Sequence, residues 1–321
     1  MNETAIVFTA DQTAEFQSAE RDTQPLAANE VEGKTLYSLI SAGTELNLYL
    51  GNYLREGLGW GTFPCTPGYA SVFKVDKIGD DVKDVSIGDL MFSMGLHRTW
   101  QRVPRADSHV LPQGLSPEIA LFARIMNITM SALAMTSARL PSQVMITGLG
   151  AVGLIGGLVF QRAGYEVFAC DPVEERIAMA RQLGLKQVFA TVPKEDPAHA
   201  GRASLALECS GVEQAAFDCC AMVKKGGEVI QVGVPMVRRS DLYAQELMLR
   251  IFRNSVTFRG GSEWQTPCHP QMAAGLQWLA EGSIRVDGLY EVRRPTNPQQ
   301  TYQDILHKRA SKPCVIFDWQ K

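Results

Sequence analysis

The sequence predicts an α/β protein: a doubly wound parallel sheet joined to a second, β-rich region. Three observations predict it. A glycine-rich turn, Gly148-Leu149-Gly150-Ala151-Val152-Gly153, lies between a short apolar strand and a helix-like run, and a second strand, Glu166–Cys170, follows. From about residue 121 to 260, strand patterns alternate with helical ones, as parallel strands joined by helical crossovers require. Residues 1 to about 120 carry short strand patterns separated by Gly/Pro turns.

In the first region the expected strands are Ala5–Phe8, Thr35–Ile40, Ala70–Ile78, Asp89–Phe92 and His109–Leu111, with a helical stretch at Leu46–Gly51. Past the glycine turn, Glu174–Leu183 reads as a helix, Gln187–Ala190 as a strand and Leu205–Glu208 as a buried strand. Glu213–Val223 reads as a helix, Lys224-Lys225-Gly226-Gly227 as a turn, and Glu228–Val232 and Ser255–Phe258 as the closing strands. The tail carries a helix (Pro270–Glu281), then Tyr302–Lys308 and the strand Cys314–Asp318. It is too small for a core of its own and is expected to rejoin the N-terminal region. The expected division is 1–120, 121–261 and 262–321.

The glycine turn has a chemical reading. Gly148 lets the chain turn sharply, Gly150 lets backbone approach a pyrophosphate, and Gly153 brings helix and strand together. The free amides of Ala151, Val152 and their neighbours, with the positive end of the helix dipole, suit phosphates. Asp171 follows Gly153 by 18 residues, at the tip of the second strand. A carboxylate there accepts hydrogen bonds from the ribose hydroxyls of NAD and repels the 2′-phosphate of NADP. Pro172 and Arg176 lie beside it; Arg176 is able to reach a phosphate, so NAD is favoured over NADP without being secured. Asp171 also reads as a helix N-cap ahead of Pro172 and Glu175.

Composition fits a globular enzyme. The chain has 321 residues, 45% of them hydrophobic, and a net charge of −3 spread over both signs. No basic block points to nucleic acid, and the apolar runs are interrupted, so no membrane span is expected. The start, MNETAIVFTADQTAEF, has no secretory pattern. Seven scattered cysteines without a C-x-x-C pair read as reduced thiols in a cytoplasm.

The stretch Gly68–Phe92 (GYASVFKVDKIGDDVKDVSIGDLMF), followed by the βαβ unit near residue 148, resembles the medium-chain dehydrogenase/reductase superfamily. More narrowly, Ser41-Ala42-Gly43-Thr44-Glu45-Leu46, Pro67-Gly68-Tyr69, His97 and Val315-Ile316-Phe317-Asp318-Trp319 are similar to its bacteriochlorophyllide-dehydrogenase-like group. The resemblance implies a Rossmann domain, a GroES-like catalytic domain, and hydride transfer between NAD(H) and a small-molecule substrate. It also implies a homodimer paired through the strand near Ser255–Phe258, against the plainer reading of a covered edge.

The zinc alcohol dehydrogenases of that superfamily carry a Cys in C-G-T-D and a His in G-H-E as ligands. The matching stretches here are Ala42-Gly43-Thr44-Glu45 and Gly68-Tyr69-Ala70. A methyl and a phenol replace the thiolate and imidazole that zinc prefers, so no metal site is expected. Side chains must then move the proton and stabilise charge. The candidates are His97, Tyr69, Thr44 and Glu45. Each has a plainer reading: His97 as a surface or domain-contact residue, Tyr69 as packing against Phe73 or Trp60, and Thr44 and Glu45 as helix caps.

Further cofactor contacts are expected beyond the carboxyl ends of the strands: Ser210 and Gly211, Gly233 and Val234, then Gly261 and Ser262. Asn127 and Thr129 precede the Rossmann unit and are placed near the nicotinamide. Asn52, Tyr53, Trp60, Trp100 and Trp264 are pocket candidates. The leading expectation is a zinc-independent dehydrogenase of a secondary alcohol, with a sugar or polyol among the substrates. The alternatives are an NAD(P)H-dependent enone or quinone reductase and a nucleotide-binding protein without turnover.

Overall fold

A computed structural model describes residues 2–22, 24–57, 62–236, 241–261 and 268–320. Along the chain the elements are β1 (Asn2–Ala10), β2 (Thr13–Glu20), β3 (Glu30–Ile40), α1 (Ala42–Tyr49), α2 (Asn52–Arg55), β4 (Ser71–Ile78), β5 (Leu90–Ser93), β6 (Trp100–Pro104) and β7 (Ser108–Val110). Next come α3 (Pro117–Ala120), α4 (Phe122–Met135), β8 (Gln143–Thr147), α5 (Ala151–Arg162), β9 (Glu166–Cys170), α6 (Glu174–Gln182), β10 (Gln187–Phe189) and β11 (Ala203–Glu208). α7 (Glu213–Met222), β12 (Val223–Gln231), α8 (Ala244–Asn254), β13 (Thr257–Gly260), α9 (Cys268–Ala280), β14 (Tyr290–Arg293), α10 (Pro298–Leu306) and β15 (Cys314–Asp318) follow. The chain forms two compact units: Met1–Arg124 with Ala273–Gly282 and Val286–Lys321, and Ile125–Met272 with Ser283–Arg285.

The second unit holds six parallel strands in the order β10-β9-β8-β11-β12-β13. The chain enters at β8, winds outward through β9 and β10, then crosses to β11 and winds the other way. The carboxyl ends of β8 and β11 therefore sit side by side where the winding reverses, which is where such sheets bind ligands. All six residues of β11 are buried, and its second half is the apolar run Leu205–Leu207 ending in an acid. Met145, Phe168, Ala206, Cys219 and Val229 belong to the core of this unit. Burial pushes the Cys170 thiol up to about 12, in keeping with a small apolar filler.

In the first unit seven strands share one sheet, ordered β14-β15-β3-β4-β5-β7 with β6 also paired to β3; β1 and β2 form a separate hairpin. β15 lies between β14 and β3, antiparallel to β3 with Val315 opposite Ile40. Its Phe317 and Trp319 enter a core with Phe8, Tyr49 and Tyr302. The Phe8 and Tyr302 rings meet edge to face at 4.8 Å, a favoured aromatic geometry.

Several expectations shift. The strands of residues 1–120 include β2 and β6 as well, and the last one is Ser108–Val110 rather than His109–Leu111. Lys224–Gly227 falls within the span of β12, where the ladder breaks register between Val223 and Glu228 and Gly226 has φ +76°, and α8 occupies a stretch for which no element was expected. The tail divides inside α9, whose first turn groups with the second unit, rather than at residue 262. The stretch Pro117–Met135 is long and apolar enough to cross a bilayer, and 67% of its most apolar window is buried inside the protein.

Candidate functional site

The nucleotide-binding half is built where β8 runs into α5. Gly148 has φ +80°, and a Cβ there would lie 2.8 Å from that of Ser210. A Cβ at Gly153 would stand 1.8 Å from the Gly148 carbonyl oxygen, so no larger residue fits between loop and helix. Beside Gly150 the space is open: a Cβ would meet nothing within 4 Å. Gly150 caps α5 without a side-chain hydrogen bond, which leaves the amides of Ala151 and Val152 for an anion. These features fit a dinucleotide pyrophosphate.

Asp171 ends β9 as expected, but its side chain is only 1% exposed. Its Oδ2 accepts from the Leu149 N–H at 2.7 Å and from Arg176 at 3.2 Å, and its Oδ1 accepts from the Val173 N–H at 2.9 Å. The carboxylate braces the glycine loop through Leu149 and the start of the next helix through Val173. A carboxylate has about four acceptor positions, so these three donors leave room for a ribose hydroxyl. Pro172 is exposed beside it, and the Arg176 side chain is 40% exposed.

Glu208, absent from the sequence-based candidates, ties the neighbouring loops together. It ends β11 fully buried. Its Oε1 accepts from the Ser210 N–H at 2.7 Å and from the Thr147 hydroxyl at 3.3 Å; its Oε2 accepts from the Gly211 N–H at 2.9 Å and from Gln231 Nε2 at 2.5 Å. The Glu208 carbonyl also accepts from the Gly233 N–H at 2.7 Å. Glu208 thus fixes Ser210 and Gly211 through its carboxylate and Gly233 through its carbonyl. The signal for it was an acid closing the buried strand Leu205–Glu208. Val234 is 54% exposed on the same loop, and the Gly261 N–H is held by the Gln231 carbonyl at 2.7 Å. Ser262, Trp60 and Trp264 lie outside the described residues.

Thr129 departs from its expected role. It is fully buried, its hydroxyl donates to the Met126 carbonyl at 3.0 Å, and a Cβ on Gly156 would stand 3.1 Å from its methyl. Its work is to pack α4 on α5. Asn127 is likewise buried and donates to Gln271 at 2.8 Å.

In the first unit the structure brings all four catalytic candidates into one hydrogen-bonded cluster. Ser41 and Thr44 lie at the start of α1, Glu45 one residue on, and Tyr69 just before β4. Glu45 is fully buried. Its Oε1 accepts from the Ser41 N–H at 2.8 Å; its Oε2 accepts from the Tyr302 hydroxyl at 2.6 Å and meets His97 Nε2 at 3.0 Å. Burial and the nearby Glu45 push the Tyr302 phenol well above its ordinary range, so it stays a donor.

His97 is not an open acid–base group. It is 0% exposed, its Nδ1 is 2.7 Å from the Ser38 hydroxyl, and its ring meets Phe317 edge-on. Trp319 donates to the same hydroxyl at 2.8 Å, so Ser38 has its own proton left for Nδ1. That leaves the ring's Nε2–H aimed at Glu45. Trp100, expected to line a pocket, lies beneath the Arg21 guanidinium at 3.4 Å, and Tyr53 is 1% exposed.

Tyr69 is the half-buried member. Its hydroxyl donates to Ser41 Oγ and lies 3.2 Å from Thr44 Oγ1. Arg124, from the first turn of α4, places its guanidinium 4.3 Å from the ring centre. Burial raises the phenol above its ordinary value; Arg124 and the two hydroxyls oppose the rise, and Glu45 adds to it. Arg124 and Ser41 were not among the sequence candidates.

The donor set does not fit a zinc ion. Ala42 offers a methyl, the Tyr69 hydroxyl is engaged by Ser41 and Thr44, and the facing atoms of Glu45 and His97 bond to each other. Among the described residues no group of three His, Cys, Asp or Glu side chains is placed to hold a metal.

Residues 151–274 match the family model described as zinc-binding dehydrogenase. That stretch begins inside the glycine turn and includes neither Ala42 nor Tyr69. The D-guloside 3-dehydrogenase of Shigella flexneri is 27% identical over 187 residues, 55% of this chain; the chain spans about half of that relative's length, 53%. An L-threonine 3-dehydrogenase of Pseudoalteromonas atlantica is 24% identical over 232 residues, 60% of this chain and 67% of that protein. The structure of acetophenone reductase from Geotrichum candidum in complex with NAD matches with a TM-score of 0.81 at 15% identity, over 99% of this chain and 97% of that one. Structural neighbours bind NADP as well as NAD. The fold is that of the medium-chain alcohol dehydrogenases, a Rossmann domain with a GroES-like one, and the likenesses support the medium-chain zinc-binding dehydrogenase superfamily.

Proposed function

We propose that this chain is a metal-independent oxidoreductase of the alcohol dehydrogenase-like superfamily, passing hydride between NAD(H) and a secondary alcohol or ketone, with Tyr69 handling the hydroxyl proton. The observation that carries this reading is the Tyr69–Ser41–Thr44 cluster, at the positions where zinc-dependent relatives need a thiolate and an imidazole. It also supports the bacteriochlorophyllide-dehydrogenase-like subgroup. Sugar and polyol dehydrogenases among the relatives support a hydroxylated substrate.

When bound, the nicotinamide donates or accepts the hydride. The chain's own groups supply the rest. In ketone reduction the Tyr69 O–H gives its proton to the carbonyl oxygen, leaving a phenolate. Ser41 and Thr44 both carry hydroxyl protons that can turn toward that phenolate, and a proton returning from solvent restores the phenol. In alcohol oxidation the phenolate takes the hydroxyl proton. A phenol held above its ordinary value by burial favours the acid role at neutral pH. His97 serves by fixing Glu45, which in turn fixes the Ser41 amide.

Tyr243 at the cap of α8 and Met248 and Phe252 within it are exposed, and among the described residues β13 ends its sheet. These observations support a homodimer, because an open edge strand and an apolar helix face are self-complementary across a two-fold axis.

Tyr69→Phe is expected to retain NADH binding and to lose about 100-fold or more in kcat. Turnover is expected to survive a chelator. A Tyr69→Phe enzyme with unchanged kcat, or stoichiometric zinc whose removal abolishes activity, overturns the proposal.

A further inference from the structure

Arg124 is 2% exposed, and its guanidinium stands over the Tyr69 ring. A guanidinium cannot shed its charge in a protein, so this is a permanent cation beside the phenol. Burying such a charge is costly, and a plain packing role would be filled by an apolar side chain at lower cost. Among the described residues the groups bearing on the phenol come from two elements. α1 contributes the Thr44 hydroxyl and the Glu45 carboxylate, with Ser41 at its cap, and α4 contributes Arg124. Of the two charged groups, Glu45 is already engaged by the Ser41 amide, Tyr302 and His97. Arg124 is the one whose field favours negative charge on the Tyr69 oxygen.

We infer that Arg124 is a positioning residue for the proton step, a fixed cation that takes over, through the Tyr69 ring, the electrostatic part a bound metal plays in related sites. This rests on the reading of Tyr69 as the proton-handling group. Loss of the cation makes the phenol harder to ionise. Because the phenolate is the base in alcohol oxidation, the rising limb of kcat/KM for oxidation then moves to higher pH. Because the phenol is the acid in ketone reduction, the falling limb for reduction moves the same way. A merely structural defect lowers both rates at every pH and moves neither limb.

The test is a pair of pH–rate profiles, oxidation and reduction, for wild type, Arg124→Gln and Arg124→Lys, with NADH binding as a check on folding. For Arg124→Gln both limbs are expected to rise by about one pH unit, so that oxidation near neutrality falls about tenfold and is recovered by raising the pH. Arg124→Lys, which keeps the charge, is expected to restore most of the shift. Unmoved limbs in a folded Arg124→Gln protein overturn the inference. If Arg124→Gln does not fold, the ultraviolet difference titration of wild type against Tyr69→Phe decides. A Tyr69 phenol that ionises in the folded protein by about pH 11 supports the inference, and one still protonated there overturns it. Tyr69→Phe with full turnover instead removes the proposed function, so the two failures are distinct.

Discussion

Asp171 shows how much one side chain is asked to do in the nucleotide-binding unit. It holds the Leu149 amide and the Val173 amide and pairs with Arg176, all from a nearly inaccessible position. In the proposed function the same carboxylate that holds the loop also meets the ribose. Asp171→Asn is expected to weaken NADH binding about tenfold or more and to narrow the preference over NADPH, read from fluorescence titrations with both nucleotides. Equal loss for NADH and NADPH would mean the carboxylate serves the loop alone. The glycines and Asp171 were legible in the sequence because their partners are local and their spacing is dictated by a βαβ unit. His97 was not. Its partners Ser38 and Glu45 lie 59 and 52 residues away, and no periodicity reports whether an imidazole faces a cleft or a core. Glu208 and Arg124 were missed for the same reason: their worth depends on what the fold stacks against them.

At the level of elements, α10 is held by charge as well as by its apolar face. Asp304 accepts from Gln300 at 2.8 Å, Arg293 at 2.9 Å and Arg309 at 3.0 Å. Together Gln300, Arg293 and Arg309 lower its carboxyl from 3.8 to about 2. A carboxyl depressed on folding stabilises above its unfolded value, and the benefit is lost as pH falls toward the folded one. Asp304→Asn is therefore expected to cost about 1 kcal/mol or less at pH 6, screening being strong at a partly exposed site. In urea denaturation series the gap to wild type should close as the pH approaches 2. A gap that stays constant down to pH 3 contradicts the assignment. Element boundaries were harder to read than element types. Lys224-Lys225-Gly226-Gly227 has the composition of a turn and forms an irregularity inside β12: the ladder with β11 jumps from Val223 to Glu228, and Gly226 has φ +76°. α8 escaped notice because its apolar residues cover two faces: Leu247 and Ile251 pack on the core while Met248 and Phe252 point outward. A broad apolar stripe blurs the helical period.

At the level of the whole molecule, the place of β13 at the end of its sheet among the described residues and the exposed face of α8 make oligomeric state the decisive measurement. Light scattering is expected to give twice the chain mass of 35.3 kDa, and Phe252→Glu is expected to shift the protein toward monomer. A monomeric wild type would leave α8 without its proposed partner.

The placement of β15 orders events in time. The strand between β14 and β3 is made only after every residue of the second unit. During synthesis the nucleotide-binding unit can close while the first sheet still lacks an inner strand, with its Tyr302 core partly open. A chain ending before Cys314 would therefore lack an inner strand of the first sheet and Phe317, the ring that meets His97, while keeping every residue of the second unit.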